Sequence, residues 1–276
     1  MLIPDTISDK DFKEFKKIIY DNIGIKISDA KKSLIIARLT RRLKELNINS
    51  FTEYLNYIKN QGHNSEEMIN FINRITTNKT DFFREKHHFE FLEKEHLPKI
   101  IANNNPYTIL VWSAGCSSGE EPYTIAMVLD NFLSKHSGWD FKILATDIDT
   151  EILTKASQGI YREQLLYPVP QSFKQKYFEK IELNGQVHYK VKPLLRGKIS
   201  FRKLNFKLED YRIKVKFDFI FFRNVMIYFD NDLKKHVLNK FYQYLKDDGL
   251  IFIGHSESLL NFKNFKYIKS TIYTKV

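Results

Sequence analysis

The sequence predicts an α/β fold in which a small all-α domain precedes an open, mostly parallel sheet. Three stretches predict it. Ile109-Leu110-Val111-Trp112 is an apolar run of strand length that enters seven small residues, 113–119, and then a helix opening on Glu120, Glu121 and Pro122. A second apolar strand, 141–146, is closed by Asp147 and followed by a helix from 150 to about Gly159. A third, 217–222, is apolar nearly throughout and finishes on Arg223 and Asn224. Continuous apolar runs alternating with helices are the pattern of strands buried on both faces.

The other elements follow in order. Residues 8–60 read as amphipathic helices: 11–20 with Phe12, Phe15 and Ile19 on one face, a break at Gly24, then 29–46 and 51–59, with a further helix at 66–75. In the 29–46 helix Ile35, Leu39, Leu43 and Leu46 form one stripe, and Lys31, Arg38 and Arg42 a neighbouring one with Arg41 beside it. A polar turn, 76–81, leads to a helix predicted over 84–99; His87 and His88 sit on it at positions about 100° apart, which excludes joint ligation of one ion. Alternation fails over 161–206. There, Asn184-Gly185 between alternating residues predicts a hairpin. A strand at 199–204 ending at Asn205, a helix at 231–245, a turn at 246–249 and strands at 250–254 and 267–274 complete the sheet. The expected division is a helical domain, 1–75, and an α/β domain, 76–276, with an antiparallel β-subdomain inserted at about 176–200.

At 276 residues and 43% hydrophobic composition, the chain can bury a substantial core; 23 Phe against 10 Gly argue for a packed globule. The start, Met-Leu-Ile-Pro-Asp-Thr, lacks the basic-then-apolar order of a signal peptide, and no stretch approaches a membrane span, so a cytoplasmic protein is expected. Cys116 is the single cysteine, which excludes an internal disulfide, and no Cys/His spacing suggests a metal. The net charge of +11 suits an anionic partner if it is placed rather than spread. Over 26–44, seven Lys or Arg face one acid, Asp29. That is either a solvated face or a docking face for an acidic macromolecule.

The chemistry centres on 113–119, whose small side chains, with Gly115 among them, let a ligand lie against the backbone, although a purely structural βα turn uses the same residues. A phosphate cradle wants a lysine or a bare helix N-terminus, and here Glu120 and Glu121 stand in that place. They suit a ligand with hydroxyls or positive charge, such as the sulfonium nucleoside S-adenosylmethionine. An acid closing the second strand takes ribose hydroxyls in nucleoside-binding folds, which makes Asp147 a candidate alongside a role in helix capping. Asn205, Arg223 and Asn224, at other strand ends, would converge on the same edge. Asn78 and Thr80 are able to cap the next helix, and Arg84 to pin a carboxylate.

With these stretches in hand, the chain resembles the chemotaxis receptor methyltransferases, the CheR-type protein-glutamate methyltransferases, nearly end to end. The resemblance rests on five ordered motifs: Thr77-Asn78-Lys79-Thr80-Asp81-Phe82-Phe83-Arg84-Glu85, Trp112-Ser113-Ala114-Gly115-Cys116-Ser117-Ser118-Gly119-Glu120-Glu121-Pro122-Tyr123, Thr146-Asp147-Ile148-Asp149, Phe222-Arg223-Asn224-Val225-Met226-Ile227-Tyr228-Phe229 and Gly254-His255-Ser256-Glu257-Ser258. It implies a Rossmann-like domain using S-adenosylmethionine, with S-adenosylhomocysteine as product. It also implies cofactor contacts from Asn78, Thr80, Arg84, Glu121, Asp147, Leu204, Asn205, Arg223 and Asn224, with Arg84 and Tyr228 nearest the transferred methyl. Arg38, Arg41 and Arg42 would meet the acidic helical bundle of a receptor. Some members hold a receptor's C-terminal peptide on the β-subdomain, and Asn184-Gly185 with Arg196-Gly197 does not decide whether this chain does.

A carboxylate nucleophile, with an ordinary pKa near about 4.3, is already ionised at neutrality, so no general base is required and no Ser/His/Asp set is expected. Orientation and desolvation would carry such a reaction. A small-molecule or nucleic-acid methyltransferase, and a non-enzymatic nucleotide-binding regulator, are the competing classes. Asn224-Val225-Met226-Ile227 is not a base-flipping motif, and the regulator would lack Arg84 or Tyr228. A monomer is expected.

Overall fold

The structure, a computed structural model, describes residues 6–62, 65–103, 105 and 107–276; residues 1–5, read above for a leader pattern, lie outside the described residues. Four helices come first: α1 (Asp9–Ile23), α2 (Lys32–Leu46, entered through a 3₁₀ turn at Asp29–Lys31), α3 (Phe51–Gln61) and α4 (Glu66–Ile75). The hydroxyls of Ser8, Ser50 and Ser65 cap α1, α3 and α4 by accepting a backbone N–H three residues on. Their apolar stripes close one core, in which the rings of Phe15, Tyr54 and Phe71 lie within 6.4 Å of one another.

A helical rod follows, with α5 (His87–Phe91) and α6 (Leu97–Asn103) joined by a π-helical stretch, Leu92–His96. It starts later than the helix predicted over 84–99. Residues 82–86 form a turn in which Phe83 and Glu85 have φ of +55° and +56°. Tertiary contacts hold the chain there: the Phe83 N–H donates to Thr124, and the Glu85 carboxylate accepts from the His255 N–H.

The α/β domain then runs through β1 (Thr108–Ala114), α7 (Glu120–Leu133), β2 (Asp140–Asp147), α8 (Thr150–Gln158), β3 (Ile160–Arg162), α9 (Gln171–Tyr177), β4 (Phe178–Leu183), β5 (Gln186–Val191), α10 (Pro193–Arg196), β6 (Ile199–Lys203), β7 (Phe217–Phe222), α11 (Asn231–Tyr244), β8 (Leu245–Ile253), β9 (Phe265–Lys269) and β10 (Ile272–Lys275). The main sheet has the order β6-β2-β1-β7-β8-β10-β9; β6, β2, β1, β7 and β8 are parallel, while β10 is antiparallel to both its neighbours. Strand order reverses between β1 and β7, the chain winding outward to β2 and β6 on one side and to β8 on the other, so their C-terminal ends open the crevice where such sheets hold ligands. Side chains alternate about the sheet: Ile109, Val111, Phe219 and Phe221 pack into one layer, Trp112, Ala114, Ile220 and Phe222 into the other. The one acid within β7, Asp218, is satisfied by the Leu110 N–H, the Tyr107 hydroxyl and Lys246.

Three expectations change. The single strand predicted at 267–274 is two, β9 and β10, turned at Thr271 with φ +57°. The turn predicted at 246–249 lies inside β8 as an irregularity: Leu245 pairs with Phe217, and pairing resumes at Leu250 with Phe219. The Asn184-Gly185 hairpin is present as β4 and β5, but β3 joins it, so the small sheet has three strands in the order β3-β5-β4. Among the described residues no helix is long and apolar enough to cross a membrane.

Candidate active site

A cleft lies at the C-terminal ends of β1, β2 and β7 and is roofed by the helical domain. Its empty volume is about 1460 Å³, open mouth included. Ile23, Ile25, Ile27, Leu34 and Ile35 form the roof, held down by several contacts. Ile25 forms a β-bridge with Phe229, the Lys26 N–H donates 3.0 Å to the Tyr228 carbonyl, and the Asn205 amide donates to the Asn22 carbonyl. A side chain at Gly24, where φ is +71°, would collide with Leu233.

Two acids line the floor. Glu121, in the first turn of α7, accepts from the Ser113 hydroxyl at 2.7 Å and from Arg223 Nε at 2.9 Å, both within the buried interior. Glu120 turns away into a second pocket against the small sheet, where burial pushes its carboxyl up to about 7. Of the two acids that open α7, Glu121 alone lines the main cleft, because adjacent helix positions diverge by about 100°. Asp147 accepts the N–H groups of Ser117 at 2.8 Å and Asp149 at 3.1 Å. Burial pushes its carboxyl up to about 6 against those two hydrogen bonds. The Gly115 N–H donates to Thr146, and φ at Gly115 is +85°; a Cβ there would stand 2.5 Å from Val225. That position needs glycine.

The residues named from sequence mostly meet here. Asn78, Thr80, Arg84, Gly115, Glu121, Asp147, Asn205, Arg223, Asn224, Tyr228 and Arg38 all line the cleft. Leu204 does not. Its side chain is buried in the layer with Trp112, because it faces away from its neighbour Asn205, and its N–H donates to the Asp147 carbonyl. Asn78 donates its amide to Asp149, which also caps α8 through the Ile152 N–H. The Arg84 guanidinium donates 3.1 Å to the Lys79 carbonyl. Tyr228 ends a 3₁₀ turn, Met226–Tyr228, with the Lys31 ammonium 5.0 Å from its ring centre.

The basic stripe of α2 is not uniform. Arg42 grips Glu67 with two hydrogen bonds, 3.1 and 2.6 Å, and Glu67 also accepts from the Tyr54 hydroxyl. Its role is therefore inside the helical domain, a correction to its reading as a docking residue. Arg38 is anchored on the Ile75 carbonyl and on Thr77 at the rim of the cleft. Arg41 is mostly exposed, with Glu45 3.3 Å away. Accordingly, Arg42→Ala should cost about 3 kcal/mol, the scale for orphaning one half of a largely buried ion pair. Arg41→Ala should stay within about 0.5 kcal/mol. Urea unfolding of the two variants checks this, and equal losses would contradict it.

Sequence reasoning missed four residues that shape the site. Glu257 accepts the N–H groups of Asn224 at 2.9 Å and Gly254 at 2.6 Å, and Glu85 accepts from His255 and the Asn224 amide. Both acids stand in quoted motifs without an assigned role. His88, considered in the sequence only as an unsuitable metal ligand beside His87 and read as non-catalytic, is buried against Arg223, and Thr271 lies on its other side. The expectation that His87 and His88 point apart also fails locally, since both rings approach the one Thr271 hydroxyl, at 3.3 and 2.7 Å.

Comparison with known proteins is consistent along the chain. Residues 10–76 match the family model described as "CheR methyltransferase, all-alpha domain", and residues 78–274 that described as "CheR methyltransferase, SAM binding domain". The "Chemotaxis protein methyltransferase" of Borreliella burgdorferi is 44% identical over 264 residues, 94% of this chain and 92% of that protein. The "Chemotaxis protein methyltransferase" of Escherichia coli is 40% identical over 269 residues, 97% of this chain and 91% of that protein.

Proposed function

The chain belongs to the CheR methyltransferase family, an S-adenosylmethionine-dependent group, and on that premise we propose that its cleft transfers methyl groups to glutamate side chains of chemotaxis receptors. The observation that carries the site is the pair of floor acids, Glu121 and Asp147, set beneath an apolar roof and beside Arg84 and Arg223. The donor set fits the cofactor. Asp147 would accept the ribose hydroxyls, Glu121 the amino acid ammonium, and Arg84 or Arg223 would face its carboxylate; the isoleucines and Ile148 suit a purine. When bound, the sulfonium supplies an electrophilic methyl group.

The chain's own residues need do little else. A substrate glutamate arrives ionised, so no proton has to move. Arg84 would orient the attacking carboxylate, Tyr228 would hold one of its oxygens at the methyl site, and the roof would exclude water. With the cofactor held by Asp147 and Glu121, an oxygen–carbon bond would replace the carbon–sulfur bond, whose electron pair would stay with the sulfur.

Arg38 and Arg41, with Lys31, would meet the acidic surface of the receptor's cytoplasmic helical region. The break between the two family matches favours a division near residue 76, and the small sheet would be a subdomain inserted in the second unit. That sheet exposes Leu183 and Val187, a fit for a receptor C-terminal peptide adding to its edge. We take the protein to act as a cytoplasmic monomer on a protein substrate, not on nucleic acid.

Calorimetric titration with S-adenosylmethionine tests the site. One molecule should bind per chain near neutral pH, and absence of binding would remove the reading. Affinity should fall about tenfold per pH unit as pH drops below about 6, because the ionised Asp147 accepts the hydroxyls and its carboxyl is raised to about 6 by burial. In the empty protein the sign is opposite: a raised carboxyl gives stability that is present below its ordinary range and is lost as pH rises through about 6. Asp147→Asn should bind weakly with no such pH dependence; a wild-type slope in that variant would contradict the assignment.

A further inference from the structure

The Arg223–Glu121 pair is held by a chain of hydrogen bonds that leaves the cleft on its far side. Arg223 donates through Nε to Glu121 at 2.9 Å and through Nη1 to His88 Nδ1 at 3.1 Å. His88 Nε2 lies 2.7 Å from the Thr271 hydroxyl, which donates 2.7 Å to the Ser270 carbonyl. These partners leave one consistent tautomer: Nδ1 accepts from Arg223, and Nε2 carries the proton and donates to Thr271.

Burial and the adjacent Arg223 cation keep the ring neutral against the one nearby carboxylate, Glu85, which favours the charged form. Burial pushes His88 down to about 2, with the Arg223 charge and His87 adding to the effect; the Glu85 carboxylate is 3.7 Å from Nδ1, and Phe252 packs edge-on. Thr271 itself sits at φ +57°, a costly conformation for a β-branched residue, and its hydroxyl is what that turn delivers to the histidine.

We propose that His88, anchored by Thr271, is a positioning residue that aims the Arg223–Glu121 pair at the cofactor. The inference rests on the cleft being the cofactor site. Neither residue lines the cleft, so neither touches the ligand. Their effect passes through the orientation of the guanidinium, whose Nε–H must point at Glu121 if that carboxylate, each oxygen already accepting one hydrogen bond, is to keep a lone pair turned toward the ligand's ammonium.

The test uses the full chain. Thr271→Val is isosteric, keeps the backbone strain and removes only the hydroxyl; Thr271→Ser keeps the hydroxyl. Calorimetry should show the dissociation constant for S-adenosylmethionine raised about tenfold or more in Thr271→Val, the scale of one hydrogen bond to a charged group, and restored in Thr271→Ser. The KM for S-adenosylmethionine should rise in parallel while kcat at saturation changes less than about threefold. In the cofactor-free protein, ring ¹⁵N signals of His88 should report the Nε2–H tautomer unchanged from pH 5 to 8. If Thr271→Val melts below the assay temperature, affinities of the unmodified protein, His88→Gln and His88→Phe should fall in that order, since the glutamine amide retains an acceptor. Unchanged affinity in these variants, equal loss in Thr271→Ser, or an ordinary histidine titration would overturn the inference and leave the cofactor site standing. Failure of the unmodified protein to bind would overturn both.

Discussion

Replacing Arg223 with methionine should cost about 3–5 kcal/mol of folding stability and abolish measurable cofactor binding. The cation is nearly enclosed, with its side chain 3% exposed, and lies over the Phe89 ring at 5.5 Å. Its loss strands the Glu121 carboxylate and the His88 Nδ1 together in the interior, and an uncompensated buried charge carries a penalty of that order. Thermal unfolding reads the first effect and calorimetry the second. Glu121→Gln should be milder in stability, because the amide oxygen still accepts from Arg223, yet it should lose cofactor affinity comparably. A stable Arg223→Met variant that binds normally would mean that the pair has no part in the site.

Arg84→Ala and Tyr228→Phe should act on the other kinetic parameter. If they contact the reacting groups, kcat should drop by about 10²-fold or more, the range for losing one preorganised donor at a reaction centre, while cofactor affinity falls by a smaller factor. Both sit on irregular backbone supported from elsewhere: Arg84 between two residues of positive φ, and Tyr228 beyond Asn224, φ +61°, which is tied down by Glu257 and Glu85. Strain of this kind persists where the surroundings over-determine it. Rapid-mixing measurement of a single turnover isolates the chemical step; proportionate losses of kcat and affinity would sink the catalytic assignment.

The parts of this architecture that were readable from sequence are the ones with local signatures. The strand, small-residue loop and acid-started helix at 108–133 announce themselves by period and residue size. So does the Asn184-Gly185 hairpin, and the acid ending β2 follows from its place on a strand. What was not readable depends on contacts distant in sequence. Nothing near His88 signals that Thr271, 183 residues away, will cap its ring. The start of α5 at His87 was misplaced because His255 and Thr124 hold the preceding turn open, against a helical pattern that runs through it. Leu204 was carried into the site by the family resemblance, whereas its side chain is buried in the layer with Trp112 and only its neighbour Asn205 lines the cleft. Arg42 matched the basic stripe, yet its partner Glu67 stands on another helix. The isoleucine roof was hidden for the same reason, since it becomes part of the site only when α1 and α2 dock on the sheet edge.

The most direct measurement is transfer of labelled methyl from S-adenosylmethionine to a receptor cytoplasmic fragment, alongside the same fragment with its methylatable glutamates changed to glutamine. The account predicts label that requires the glutamates and is released as methanol by mild base, the signature of a carboxyl methyl ester. Label that survives base, or that is unchanged by the glutamine substitutions, would contradict it.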